Sequence, residues 1–407
     1  MLGKFILLLV LFFSTMPVYA LTDKTDKDKK VLKATLLTTE TDEYKTLRNE
    51  GFELLYNMNY KAAIERFDKM KLLIPDHPAG YFHLAACYWL SMLNSSRRLQ
   101  TGIYNNNSFY AESKERVDER SDKEFRVLIE AAIEKSEVAV KKNPSDPYAL
   151  YYQGASHGLL ASYEGTISRA FISALRNGSK SVDLHKKVVE IEPNLLDAYL
   201  TIGTYDYIVG SLPLFVKMLA TIGGFRGSKE RGLQELEMVA EKGNFARDDA
   251  KVLLIALYNR ESRYQDAVKL LETLSAKYPK NYLFKLEMAS CLVKLDRAEE
   301  SFKIFENVLS DESMKTIADL AGFQYAEALA SQHRYIDAAK RFQKVIDQEG
   351  ANSDLVTRAH LQAGQMFDLS LRRLDAISHY QKVLQRDNVF DCHEQAQKYL
   401  KKPYIRD

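Results

Sequence analysis

Cysteine is scarce in this chain: three among 407 residues, Cys87, Cys291 and Cys392, too few and too scattered for a disulfide framework. The fold therefore has to hold by packing alone. His83 and Cys87 stand four apart on one helical face, but structural zinc takes four ligands, so no metal is expected and Cys87 reads as a small buried thiol. Proline and glycine are few as well, nine and 18, and alternating runs are rare, which leaves little room for sheet. Nor does one sign of charge prevail: 57 Lys plus Arg against 55 Asp plus Glu provides no field to draw in nucleic acid. Catalytic signatures are missing too. The eight His residues include no H-E-x-x-H, and there is no nucleophile elbow. The stretch GGFRGSK from Gly223 lacks the spacing of a phosphate loop and follows a helix instead of a strand. Neither an enzyme nor a cofactor is expected.

What is present is a repeated block. Arg334 to Ile346 reads RYIDAAKRFQKVI, and 38 residues on, Arg372 to Leu384 reads RRLDAISHYQKVL. In each copy a small residue (Ala338, Ala376) is followed four positions later by an aromatic (Phe342, Tyr380) and then by Val345 or Val383, one helical stripe. A small residue lets a second helix come close while the aromatic fills the gap beside it, so each block reads as the second helix of a hairpin in a stacked array.

The same frame extends over the rest of the chain. Repeat one has Leu47 and Gly51 on its first helix, Ala63 and Phe67 on its second, and Pro75 at its end. Repeat two has Tyr81, Leu84, Ala85 and Tyr88, then Ala132, Ala139 and Pro144; repeat three has Leu150 and Gly154, then Val188 and Pro193; repeat four has Tyr199 and Gly203, then Gly232, Leu236 and Val239. Repeats five to eight carry Ala267 and Leu271, Ser301 and Phe305, Ala338 and Phe342, and Ala376 and Tyr380, with Cys392 to Lys402 as a capping helix. These spacings resemble the tetratricopeptide repeat of about 34 residues, over nearly the whole chain. The resemblance implies an all-α, right-handed helical-hairpin solenoid of about eight repeats.

Repeats two to four depart from that pattern by insertions. In repeat two the small residue expected near position 97 arrives at Ala132, across a polar stretch expected to be loop or helix extension. Repeat three is expected to extend its first helix through His157 to Asn177, with Gly154, Ala155, Gly158 and Ala161 as a close-packing seam. In repeat four, Pro213 breaks a helix, Leu214 to Ile222 is largely apolar, and Ser228 is placed to cap the next helix. Nine apolar residues cannot span a bilayer. Leu214, Phe215, Met218 and Leu219 are therefore expected against the solenoid, in its groove, or on a membrane surface. Gly203, Tyr205, Tyr207, Leu212, Pro213, Gly224, Phe225, Gly227, Gly232 and Leu233 also look like a group of exported bacterial repeat proteins, and more distantly like the eukaryotic inclusion-body-clearance and tetratricopeptide-39 group.

At the amino terminus Lys4 precedes an apolar run from Phe5 to Phe13, and Val18, Tyr19 and Ala20 offer a cleavage site. The run is shorter than the ~20 residues of a membrane span. Residues 1–20 are expected to be a signal peptide, 21–42 a polar linker, 43–245 the repeats with insertions, 246–390 the regular repeats, and 391–407 the cap and tail, in a periplasmic or secreted protein.

In the tetratricopeptide superfamily, ligands usually lie in the groove lined by first helices. Carried onto this chain, that resemblance implies a groove with Arg48, Phe52, Tyr56, Phe82, Trp89, Leu90, Tyr148, Tyr151, Leu200, Tyr207 and Ile208 in its first half. Aromatics there suit recognition of a peptide or helix, and they equally suit a core filled by the inserted helices. The matching positions further on are polar: Asp249, Asn259, Arg260, Lys294, Glu327, Gln365 and Asp368. The leading expectation is a scaffold that binds a protein or peptide segment through Phe52, Tyr56, Phe82, Trp89, Tyr148, Tyr151 and Tyr207. The alternatives are a carrier of an apolar small molecule or lipid, and peripheral membrane attachment through residues 214–222.

Overall fold

In a computed structural model of the chain, residues 35–99, 117–212, 217–218 and 226–406 are described. Among them there are helices and turns and no strands. The signal-peptide reading of residues 1–20 falls outside the described residues. So do Leu214, Phe215 and Leu219.

The helices follow one another in chain order as the first and second members of the expected hairpins. They are α1 (Asp42–Tyr56) with α2 (Tyr60–Leu73), α3 (Pro78–Ser95) with α4 (Glu119–Lys142), α5 (Pro147–Tyr163) with α6 (Phe171–Ile191), and α7 (Tyr199–Gly210) with α8 (Lys229–Lys242). Then follow α9 (Arg247–Arg260) with α10 (Tyr264–Lys277), α11 (Tyr282–Lys294) with α12 (Ala298–Ser310), α13 (Ala318–Ser331) with α14 (Tyr335–Ile346), α15 (Ser353–Leu369) with α16 (Arg373–Leu384), and a last helix α17 (Cys392–Lys401). Two compact units result. Of the described residues, unit one holds those within 35–92 and 117–254, and unit two holds those within 93–99 and 255–406.

Local chemistry sets where helices begin and end. Thr41, Asn59, Asp118, Asp146, Ser228, Asn281 and Asn352 each cap a helix by accepting a backbone N–H with the side chain, and Pro147 sits at the first position of α5. The short turns share one solution. Met58, Ser262, Asp296, His333 and Leu371 are all left-handed, with φ between 57° and 62°, and the next residue's N–H returns to a carbonyl five positions back. In four of these turns that next residue is an arginine, and its side chain pairs with an acid three residues on: Arg263 with Asp266, Arg297 with Glu300, Arg334 with Asp337, Arg372 with Asp375.

The second-helix markers of repeats one and five to eight are core residues, whereas Leu47, Tyr81, Tyr88, Ala139 and Tyr199 are half-buried. Ala63 and Phe67, Ala267 and Leu271, Ser301 and Phe305, Ala338 and Phe342, and Ala376 and Tyr380 are fully buried. Burial of each aromatic contributes about 1.5–3 kcal/mol, which outweighs the weak propensities of the short helices that carry them. The first helix makes room opposite. A Cβ on Gly364 would stand 2.5 Å from the Tyr380 ring, and Gly51 faces Phe67 in the same way.

Two expectations are corrected. The first helix of repeat three does not run to Asn177; α5 stops at Tyr163, a π-turn covers Glu164–Ser168, and Arg169 is left-handed. The Glu164 carboxylate accepts from Ser173 Oγ (2.6 Å) and Asn177 Nδ2 (3.0 Å), while Asn177 Oδ1 meets His157 Nδ1 (2.9 Å), so polar bonds across the break fold α6 back on α5. The seam of Gly154 and Gly158 then packs on α6, against His185 and Ser181. The second correction concerns the end of the polar linker. Leu36–Thr39 forms a 3-10 turn, the Leu36 N–H donates to Asp146 (2.7 Å), and Glu40 is buried on Arg48 at 2.6 Å. Charge pairing packs a stretch that its composition alone reads as spacer.

Candidate functional site: the first-helix faces

In unit one the first-helix face is largely occupied by its own side chains. Tyr56 on α1 donates its hydroxyl to Asp249 on α9, and the Arg48 guanidinium lies 4.7 Å over the Phe245 ring. Both contacts join residues distant in sequence, 193 positions for Tyr56 and Asp249, and bring α1 to the start of α9 and the residues just before it. Tyr151 is enclosed there, near Tyr152 (5.4 Å), His185 (5.3 Å) and Phe245 (6.3 Å). Tyr151 and Tyr207 are thus core residues and not groove lining, which corrects the sequence expectation for both. Tyr207 is buried because α7 and α8 cross tightly beside it, where Gly232 abuts its backbone.

The other five are half-buried. Phe52 and Phe82 are brought together around the buried His83, at ring distances of 4.7 and 5.1 Å. Burial and the nearby Arg48 hold that imidazole well below its ordinary pKa, so it is a neutral member of an aromatic cluster. Trp89 lies apart, its Nε1 donating to Thr166 Oγ1 in the π-turn (2.9 Å). Tyr148 lines a cleft of about 140 Å³ with Glu192, Asn194, Lys242 and Asn244, smaller than the ~300 Å³ at which small-molecule sites begin. Met218 is exposed, and among the described residues no helix is long and apolar enough to cross a membrane.

Unit two presents a different face. Its first helices carry polar side chains that are half-buried, and they bridge between helices. Asn259 Nδ2 donates to Glu287 on α11 (2.5 Å), and Asn259 Oδ1 accepts from the Cys291 thiol (3.1 Å). Burial pushes that thiol up to about 12, so it remains protonated. Gln362 Nε2 on α15 donates to Glu327 on α13 (2.9 Å). The Arg358 guanidinium lies 4.6 Å from the Phe323 ring and 5.2 Å from Phe390. Of the polar positions expected in this half, Arg260 and Lys294 are exposed, Glu327 and Gln365 half-buried. Asp368 is different: it is buried and accepts from Arg373, Tyr380 and the Tyr404 N–H, which fixes α17 and the tail, so it belongs to the cap.

Sequence reasoning missed Glu287, Arg358 and Gln362, and it missed Arg97 and Arg98. Arg97 Nη2 donates to Thr316 O (2.6 Å) and to Asp319 Oδ1 (2.9 Å), and Arg98 lies buried 4.4 Å over the Phe390 ring. No period in the sequence links positions so far apart.

These successive helices, with buried small and aromatic markers at corresponding places, define an all-helical repeat architecture among the described residues. Residues 198–353 match the family described as Iml2/Tetratricopeptide repeat protein 39, so over that stretch the chain is similar to the tetratricopeptide-39 group. No curated protein matches by sequence. Among solved structures, human IFIT1, determined as a dimer with PPP-AAAA, is 14% identical with a TM-score of 0.43, over 89% of this chain and 85% of that one. Yeast Tom70 is 12% identical with a TM-score of 0.39, over 89% and 96%. Pseudomonas aeruginosa PilF is 15% identical with a TM-score of 0.34, over 60% and 97%.

Proposed function

We propose that this protein is an exported interaction scaffold, not an enzyme, that holds a segment of a protein partner along the first-helix face of unit two. The observation that carries the reading is the row of half-buried amides and carboxylates at Asn259, Glu287, Glu327 and Gln362. The second-helix aromatics already supply the core, so packing alone does not call for polar groups at these positions. A peptide presents one backbone donor and one acceptor per residue, and amides and carboxylates spaced across successive helices match that pattern. The face of unit one is the weaker site, since Tyr151 and Tyr207 are spent in its core. Export rests on the amino-terminal apolar run and its small-residue end.

The test is capture from the extracytoplasmic fraction with tagged, leader-free protein. A defined partner is expected with the wild type, reduced by Glu327→Lys with Gln362→Lys and retained by Phe52→Ala with Phe82→Ala. Loss of the partner only in the aromatic pair would move the site to unit one. Recovery of the native protein in the cytosol with residues 1–20 attached would contradict export.

A further inference from the structure

The end of α3 makes the same turn as the short hairpins: Arg97 is left-handed with φ 58°, and the Arg98 N–H returns to Leu93 O at 2.7 Å. In four of those hairpins the arginine after the left-handed residue folds back on an acid three positions on. Here position 101 is Thr, and Arg98 lies instead over the Phe390 ring. Residues 93–98 are thus built like the repeat and used differently, as part of unit two.

The contacts are of the kind a bound peptide makes. The Tyr282 hydroxyl, at the start of α11, donates to Asn94 Oδ1 (2.6 Å). The Arg97 guanidinium is shared between the Thr316 carbonyl and the Asp319 carboxylate. Asp319 is itself 1% exposed and fixed by the Leu320 N–H (2.7 Å) and the Asn352 N–H (3.0 Å), so its oxygens are oriented by the beginnings of α13 and α15. A planar guanidinium that meets a pre-oriented carboxylate and a carbonyl is read by shape as well as charge. Arg98 adds a cation on an aromatic face. Three residues within a stretch of five, Asn94, Arg97 and Arg98, supply these contacts, and their partners come from α11, from the start of α13 and from the segment before α17.

From this geometry we infer that the starts of α11 and α13, with Phe390, form a site for an arginine-bearing peptide at the end of the first-helix face of unit two, and that Asn94–Arg98 is a ligand the chain supplies to itself. This deepens the scaffold reading and rests on it: the partner segment carries adjacent arginines and competes with the internal one. Tethering gives an internal ligand an effective concentration on the order of millimolar. A peptide that binds with a micromolar constant is then weakened roughly tenfold or more by the internal copy.

The experiment uses the full leader-free chain and a fluorescent peptide of the sequence SMLNSSRRL, residues 91–99. Arg97→Ala with Arg98→Ala vacates the site and is expected to bind the peptide at least about tenfold more tightly than wild type. Adding Asp319→Asn is expected to abolish that gain. Equal binding by wild type and the double variant, or none by a double variant of wild-type helical circular dichroism, overturns the proposal. A second measurement needs no variant: the peptide at about 1 mM is expected to speed amide exchange at residues 94–98 of the wild type and leave α5 unchanged. Exchange there that does not respond overturns it as well. Capture of a partner that tracks Glu327 and Gln362 while the peptide fails would sink this inference and leave the scaffold reading standing.

Discussion

The Cβ that Gly232 lacks would stand 2.5 Å from the carbonyl oxygen of Gly203, on the facing helix. It would also press on the Tyr207 backbone. Backbone cannot yield as a flexible side-chain end can, so α7 and α8 cross at a distance only glycine permits. Gly232→Ala is expected to cost about 2–4 kcal/mol by overpacking, read as a lower urea midpoint. Gly350→Ala is the contrast. Its φ is 74° with nothing within 4 Å of an added Cβ, and the left-handed backbone alone costs about 1–2 kcal/mol.

Leu371 is left-handed at φ 60° and 94% exposed, so its side chain contributes no burial to offset the backbone strain. Leu371→Gly is therefore expected to raise stability by about 1 kcal/mol, against the usual cost of introducing glycine. A thermal melt decides the sign.

The buried pair of Arg48 and Glu40 answers differently to single and double replacement. Arg48→Ala strands a buried carboxylate and is expected to cost about 3–5 kcal/mol, while Glu40→Gln with Arg48→Met recovers most of the loss. With Arg48 in place, burial first and the arginine's charge second hold the pKa of His77, 3.6 Å from Glu40, down at about 3, so the arginine is the cation of this cluster. A double-mutant cycle by chemical denaturation measures the coupling.

His185 links folding to acid. It is buried with Nε2 donating to Tyr151 O at 3.1 Å, and burial pushes its pKa to about 4. In the unfolded chain the value is about 6.5, so the unfolded state binds more protons between those two values. The contribution is complete above about pH 6.5 and is lost as pH falls toward 4. From pH 7 to pH 5 the loss is about 2 kcal/mol for this group. His360 and His379, held down at about 3 and about 4 mainly by burial, act in the same direction. The urea midpoint is expected to fall over that range, and His185→Gln, less stable at pH 7, is expected to fall less steeply.

The hairpin markers were legible because each reflects contact between neighbours in sequence. Ala338 and Phe342 occupy one stripe whatever the rest of the chain does, and the structure buries both. The groove was legible only in part. A repeat frame assigns Tyr151 the same place as its counterparts, but its burial depends on Phe245, more than ninety positions away. The end of α5 was missed for a related reason: helical propensity runs on past Tyr163, and the bonds from Glu164 to Ser173 and Asn177 are made only once the chain has turned. Arg97 sits in a stretch that looks like a solvated insertion, and its acid partner Asp319 lies 222 residues on.

A scaffold of this kind is defined by where its partner lies. A photo-crosslinking amino acid placed at Gln362, on the first-helix face of unit two, and in a second protein at Lys340, on the exposed side of a second helix, tests this directly. An adduct of defined mass from position 362 and none from position 340 is the predicted result; adducts from 340 alone, or from both equally, would contradict it.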